Sequence, residues 1–285
     1  MADIRDRAIR AVTEDGSFRV ITARTSEVVR EGVKKHGLKG AEARLFGELL
    51  TGAILVRETM APSHRVQIIL SGHDGGQMVA DSHPETGLTR GFVSRGEGGA
   101  PVTLGADAVM KVIRTLPRGS LHQSIVAADG ESVSAVLMAY MQGSEQVTAT
   151  LGVASVVDGE GYVAASAGFI VQLLPEVQQG PLAVMTERLG DFAYLDDGIV
   201  GSDASAEVLL FELLYGMPHE KLADSDVHYG CSCSDERAIA AISVLGRAEL
   251  GQMVAKGEVV EMTCEYCGRL WSVGPERLRA LLADN

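Results

Sequence analysis

The chain has 285 residues, 46% of them apolar and 22% charged, with a net charge of −13 at neutral pH. That composition is globular rather than disordered, and the length suffices for more than one structural unit. The acidic balance argues against nucleic acid or an anionic membrane as the main partner, because binding phosphates takes clustered lysine and arginine.

The N-terminal MADIRDRAIR is charged and no apolar run follows it, so a secretory leader is not expected. The longest apolar run, SAVLMAYM, is far too short to span a bilayer. A cytoplasmic protein is the expectation, with neither membrane nor nucleic acid as partner.

Residues 1–24 read as a hairpin, with DIRDRAIRAV and SFRVITA flanking the turn TEDG. SEVVREGVKKHG and AEARLFGELLTGAILV predict two helices separated at Gly37 and Gly40. HRVQIILSG, QMVADS, LTRGFVS and SLHQSIVA predict short strands between glycine-rich turns. GHDGGQ (72–77) lacks the lysine and the helix of a phosphate-binding loop and reads as a hairpin turn. SVSAVLMAYMQG predicts a helix that stops at Gly143, and Ser144-Glu145-Gln146 then make a helix-to-strand junction. QVTATLGVASVV and GYVAASAGFIVQLLP predict two long strands. No βαβ rhythm runs through these elements, so the fold class is α+β, with a mixed strand and helix core over 1–176.

Composition shifts after Pro175. LAVMTERL, FAYLDD and ASAEVLLFELLYGMP are short and amphipathic, so they need a surface to lie on. They define a helical linker, 177–229, packed on the core, with Leu209, Leu210, Leu213 and Leu214 as its apolar stripe. The remainder, 230–285, is a small C-terminal domain. Ser234 is a good N-cap for DERAIAAISVL, RAELGQMVAKG is a second helix, EVVEMT and RLWSV are strands, and Pro275 opens a last helix.

All four cysteines lie in that small domain, as Cys231 and Cys233 in CSC and Cys264 and Cys267 in CEYC. In a reducing compartment such pairs suggest metal or redox chemistry rather than structural disulfides. Four thiolates are a natural set for tetrahedral zinc, one ion per chain in the reduced state. Alternation in an extended segment lets C-x-C present both sulfurs to one ion. C-x-x-C does the same in a turn whose N–H groups can donate to the sulfurs. The domain has few large apolar residues, and structural zinc supplies on the order of 10–16 kcal/mol in finger peptides. His228 is a weaker alternative ligand, and Glu261 and Glu265 read as solvated charges. The scattered His36, His64, His73, His83, His122 and His219 read as surface or core residues. An extended i,i+2 pair is poorly disposed for a disulfide, so oxidation would bend the backbone as well as expel the metal. That combination makes a sensor in which oxidant leads to local unfolding.

With these cysteines, the sequence resembles the heat-shock protein 33 family, the redox-regulated chaperones of the bacterial cytoplasm. TRGFV (89–93), YMQGSEQVTAT (140–150), AGFIVQLLPE (167–176) and ELLYGMPHEKL (212–222) resemble family motifs in the right order, so the resemblance covers nearly the whole chain. It departs from the family pattern at Ala108, Ala167, Gly268 and Trp271, none of them a cysteine. The resemblance implies an ATP-independent holdase, not an enzyme, that is inactive with zinc bound. It further implies disulfides Cys231–Cys233 and Cys264–Cys267 on oxidation, zinc release, unfolding of the linker, binding of unfolded client proteins, and a homodimer in the oxidised state. Two other classes compete. A zinc-ribbon nucleic-acid binder would show C-x2-C on both sides and a basic surface. A thiol-disulfide oxidoreductase would place its C-x-x-C between a strand and a helix.

Overall fold

The computed structural model describes residues 5–83, 86–116, 119–199 and 205–284. The chain divides into two compact units, Met1–Tyr229 and Gly230–Asn285.

The first unit runs β1 (Arg7–Thr13), β2 (Phe18–Arg24), α1 (Ser26–His36), α2 (Gly40–Glu58), β3 (Arg65–Ser71), β4 (Gln77–Ser82) and β5 (Leu88–Ser94). Then come β6 (Val109–Thr115), β7 (Leu121–Ala127), α3 (Val133–Gly143), β8 (Ala149–Val157) and β9 (Val163–Leu173). It closes with α4 (Gln179–Asp191), α5 (Leu195–Ile199), α6 (Ala206–Leu213), β10 (His219–Asp226) and β11 (His228–Tyr229). The second unit holds α7 (Asp235–Ile242), α8 (Arg247–Lys256), β12 (Val260–Thr263), β13 (Leu270–Val273) and α9 (Pro275–Asp284). Helices and strands are mixed without a βαβ alternation, so the α+β class holds.

Two sheets build the first unit. One has the order β10-β1-β2-β9-β8 and is antiparallel throughout. The other has the order β11-β5-β4-β3-β6-β7, antiparallel except for the short parallel β11–β5 pair. In β3 strict alternation turns Val66, Ile68 and Leu70 inward, the period expected of a half-buried strand. Helix α2 behaves differently. Every residue from Phe46 to Glu58 is buried, because the helix touches strands of both sheets. Gly47 makes the approach possible, since a Cβ there would stand 2.3 Å from Ser155 Oγ and 2.6 Å from Val29 Cγ1.

Two apolar clusters fill this unit. One gathers α1, α2 and α3 with the inner faces of both sheets, through residues such as Phe46, Leu50, Ile68 and Tyr140. The other is the opposite face of the five-stranded sheet, where Ile9, Phe18, Val20, Phe169 and Val171 are covered by Met185, Leu195, Ile199, Leu209, Leu210 and Leu213. The apolar stripe on α6 is thus core packing, against β1 and β2.

The sequence predicts a helical linker over 177–229, whereas the segment is helical only in part. Helix ends at Leu213, and His219–Asp226 forms β10, paired antiparallel along β1 with one register shift between Arg10 and Ala11. HEKLADSD is largely exposed on the sheet edge, so no apolar alternation announces it; its partner strand makes it extended. Strand β6 is not among the strands expected from the sequence. Met110 and Val112 are the inward pair that marks it.

Two departures from the family pattern fit the packing. Ala167 turns its methyl into the cluster beneath the helices. Its neighbour Gly168 faces α2, where a Cβ would meet Gly152 O at 2.7 Å and Leu55 Cδ1 at 2.8 Å. Ala108 is buried in the other cluster, its N–H bonded to Gly105 O.

The second unit is far sparser. Among the described residues, Ile242, Leu250, Val273 and Leu278 form its buried apolar cluster, with Ile239, Met253 and Met262 among the partly buried residues around it.

Candidate metal centre

Cys264 and Cys267 sit in the turn of the β12–β13 hairpin, whose register pairs Thr263 with Leu270 and Met262 with Trp271. The turn is closed by backbone hydrogen bonds from Cys264 N to Arg269 O and from Cys267 and Gly268 N to Cys264 O, the last at 2.7 Å. Gly268 has φ +68, a left-handed conformation that glycine adopts without strain, which accounts for its place after the second cysteine. The Trp271 ring lies under the Arg269 guanidinium, 5.4 Å from its centre.

Cys231 and Cys233 lie in the irregular stretch before α7. Ser234 caps that helix, its side chain accepting from Arg237 N. Arg237 in turn donates to the Ser232 carbonyl and hydroxyl, so the helix start holds the C-x-C backbone in place. Asp235 in the first turn of α7 pairs with Arg277 of α9, tying the last helix to the same corner.

These elements converge the four sulfurs. All lie within 4.8 Å of one another, and none of the four residues is fully exposed. Cys231 Sγ is 3.7 Å from Cys264 Sγ and Cys233 Sγ is 3.4 Å from Cys267 Sγ, while a tetrahedron with zinc–sulfur bonds of about 2.3 Å has sulfurs about 3.8 Å apart. The close pairs join one motif to the other, as a shared ion requires. A sulfur-only donor set of this size suits zinc and leaves no open position. The four residues can therefore hold a metal ion. His228 is not in the cluster; it lies in β11, paired with Leu88.

The thiols differ in acidity. Burial pushes the Cys231 thiol up, but the Cys233 backbone N–H, 3.4 Å away, and the neighbouring thiols donate to it and bring it down to about 7. Burial and the same neighbours push Cys233 up to about 12, and burial raises Cys264. Anions placed side by side repel, which opposes ionisation of neighbouring thiols. A divalent cation at the centre removes that repulsion and lets all four ionise.

The C-x-x-C of this chain ends a strand and begins another, and no helix starts at it. A thioredoxin-like arrangement, in which a helix N-terminus lowers the first thiol, is absent here.

As a class, this is a larger α+β scaffold followed by a small module with four clustered cysteines that can hold a metal ion. Comparison identifies the family. The family described as Hsp33 protein matches residues 6–273, and the chain belongs to it. Among similar proteins, the 33 kDa chaperonin of Syntrophotalea carbinolica is 25% identical over 98% of this chain and 100% of its own length. The 33 kDa chaperonin of Thermus thermophilus is 27% identical over 98% of this chain and 87% of its own. The crystal structure of the 33 kDa chaperonin (heat shock protein 33 homolog) from Thermotoga maritima matches with a TM-score of 0.78 at 24% identity, covering 98% of both chains, and shows a shared fold. The family and the names of these relatives support a chaperone.

Proposed function

We propose that this chain is a chaperone of the holdase type, switched by oxidation of its four cysteines and independent of ATP. The observation that carries the reading is the pairing of a sulfur-only centre with a unit whose apolar cluster has only four buried members. Bound zinc would hold the sulfurs as thiolates and supply most of the folding energy of the second unit. Oxidation joins Cys231 Sγ to Cys233 Sγ and Cys264 Sγ to Cys267 Sγ. Each bond takes two electrons from a thiol pair, and a peroxide accepts them with two protons to leave as water. Sulfurs so joined no longer serve as metal ligands, and the second unit loses the constraint that shaped it.

The surface for clients is the apolar face of the five-stranded sheet together with the faces of α4, α5 and α6 that cover it. Their release exposes Phe18, Val20, Phe169 and Val171 alongside Leu209, Leu210 and Leu213, a patch larger than a soluble monomer tolerates. Such a patch binds unfolded chains by burial alone and pairs with a second copy, giving the oxidised homodimer. A bacterial cytoplasm, reducing at rest and oxidised under stress, is the compartment where the switch has a use.

The test is suppression of aggregation of a thermally unfolding client, followed by light scattering without nucleotide. The reading expects suppression by the peroxide-treated chain and little by the reduced, zinc-loaded chain. Equal suppression by both would refute the switch.

A further inference from the structure

A second feature, unconnected with the cysteines, lies at one end of the first unit. It is a cavity of about 700 Å³ walled by Arg19 on β2, His64 before β3, Arg114 on β6, and Glu145, Gln146 and Thr148 after α3.

Unpaired polar atoms concentrate there. Among the described residues seven buried side-chain nitrogen or oxygen atoms make no hydrogen bond, and Arg19 Nε, Arg114 Nε and His64 Nδ1 are three of them. Buried polar atoms are nearly always paired, so three on the residues of one wall mark a place where the protein leaves its own polar groups unsatisfied.

The charge points the same way. Arg19 donates to the carbonyls of Thr59 at 3.3 Å and Glu58 at 3.4 Å, and to no carboxylate among the described residues. Burial and the neighbouring Arg10 guanidinium both push its pKa down, so the fold holds this cation at a cost. Arg114 is offset by Glu145, at 2.9 Å, and that carboxylate also accepts from Tyr140 Oη at 2.5 Å. The cavity is left with the charge of Arg19 in a chain whose net charge is −13. Water does not neutralise a guanidinium, whereas an oxyanion does.

The wall itself is strained. Gln146 has φ +56, a left-handed conformation uncommon outside glycine, at the middle of the junction that carries Glu145. Strain of this kind persists where the surrounding structure holds a residue in place, and it gathers at binding sites.

We propose that this cavity binds a small oxyanion, a carboxylate or a phosphate, with Arg19 supplying the charge and Arg114 and His64 the flanking polar groups.

The full chain, reduced and zinc-loaded, is titrated with inorganic phosphate and separately with succinate, against sodium chloride at equal ionic strength. NMR follows the arginine Nε–H signals. The expected result is a saturable shift of the Arg19 signal with one or both anions and not with chloride, with affinity about ten-fold weaker in Arg19→Gln, the loss of one charge-assisted contact. A response to phosphate alone or succinate alone assigns the source. Absence of a saturable shift with either anion, a shift confined to other arginines, or unchanged affinity in Arg19→Gln overturns the proposal. The signals of the unsubstituted chain decide the matter even where Arg19→Gln does not fold.

Discussion

The first unit buries Phe46, Leu49, Leu50, Ile54 and Leu55 along one helix between two sheets, while the buried apolar cluster of the second has four members among its described residues. Burial at about 25 cal/mol per Å² stabilises the former by itself; the latter is too small for burial to outweigh chain entropy. The unit with the thin core is the one that gathers the four sulfurs. One chain thus contains a unit without a cysteine and a unit that holds all four, and on the proposed function only the second has a fold that depends on redox state.

The sharpest way to break the comparison is to remove the metal. Adding a strong chelator to the reduced chain is expected to unfold the second unit, a loss on the order of 10 kcal/mol, and to leave the first intact. NMR amide dispersion in 230–285 reads this directly; retained dispersion would place the stability of that unit in its apolar cluster instead.

The next largest effect belongs to the first unit and to pH. Asp81 is fully buried and takes hydrogen bonds from Arg65 at 2.6 Å, Arg90 at 2.8 Å and His83 at 3.1 Å. Burial pushes its carboxyl up, but His83 and Arg65 outweigh that and hold it well below the usual carboxylate range. A depressed folded pKa means stability that is present above the unfolded value of about 4 and is lost as pH falls further. Thermal unfolding of the first unit should therefore be flat in this contribution above about pH 5 and should weaken below pH 4. Asp81→Asn should remove that slope and cost about 3–5 kcal/mol at neutral pH by taking the buried counter-charge from Arg65 and Arg90. A wild-type slope retained in Asp81→Asn would assign it to another carboxylate.

Leu50→Ala, in the same unit, is expected to cost about 2–5 kcal/mol by opening a cavity in the central helix. Its zinc content should match the unsubstituted chain, and a lower content would show that the units are not energetically separate. The smallest effect is expected at the exposed Asp235–Arg277 pair of the second unit. Arg277→Ala should leave the unfolding temperature unchanged within error, since solvent screens such pairs.

The halves also differ in how legible they were in sequence. Strands with inward alternation, such as β3, and helices with glycine stops, such as α1 before Gly37, could be read directly. The cysteine spacing named the four residues whose sulfurs the structure gathers. Strand β10 was unreadable because its place is set by β1 and not by its own side chains, most of which face solvent. The Arg19 cavity was equally hidden, since its walls come from segments far apart in the chain and no local spacing joins Arg19, His64 and Arg114. Metal ligands that come in close pairs leave a local signature; sites assembled by sheet topology do not.

The central claim is that oxidation dissolves the thinly packed unit and then frees the helices over 177–213, while the sheets of the first unit persist. Amide hydrogen exchange on the reduced, zinc-loaded chain and on the peroxide-treated chain tests it most directly. The account predicts loss of protection across 230–285 and α4–α6 in the oxidised chain, with β2, β3 and α2 unchanged. Protection in 177–213 that survives oxidation while the oxidised chain still holds clients would contradict it.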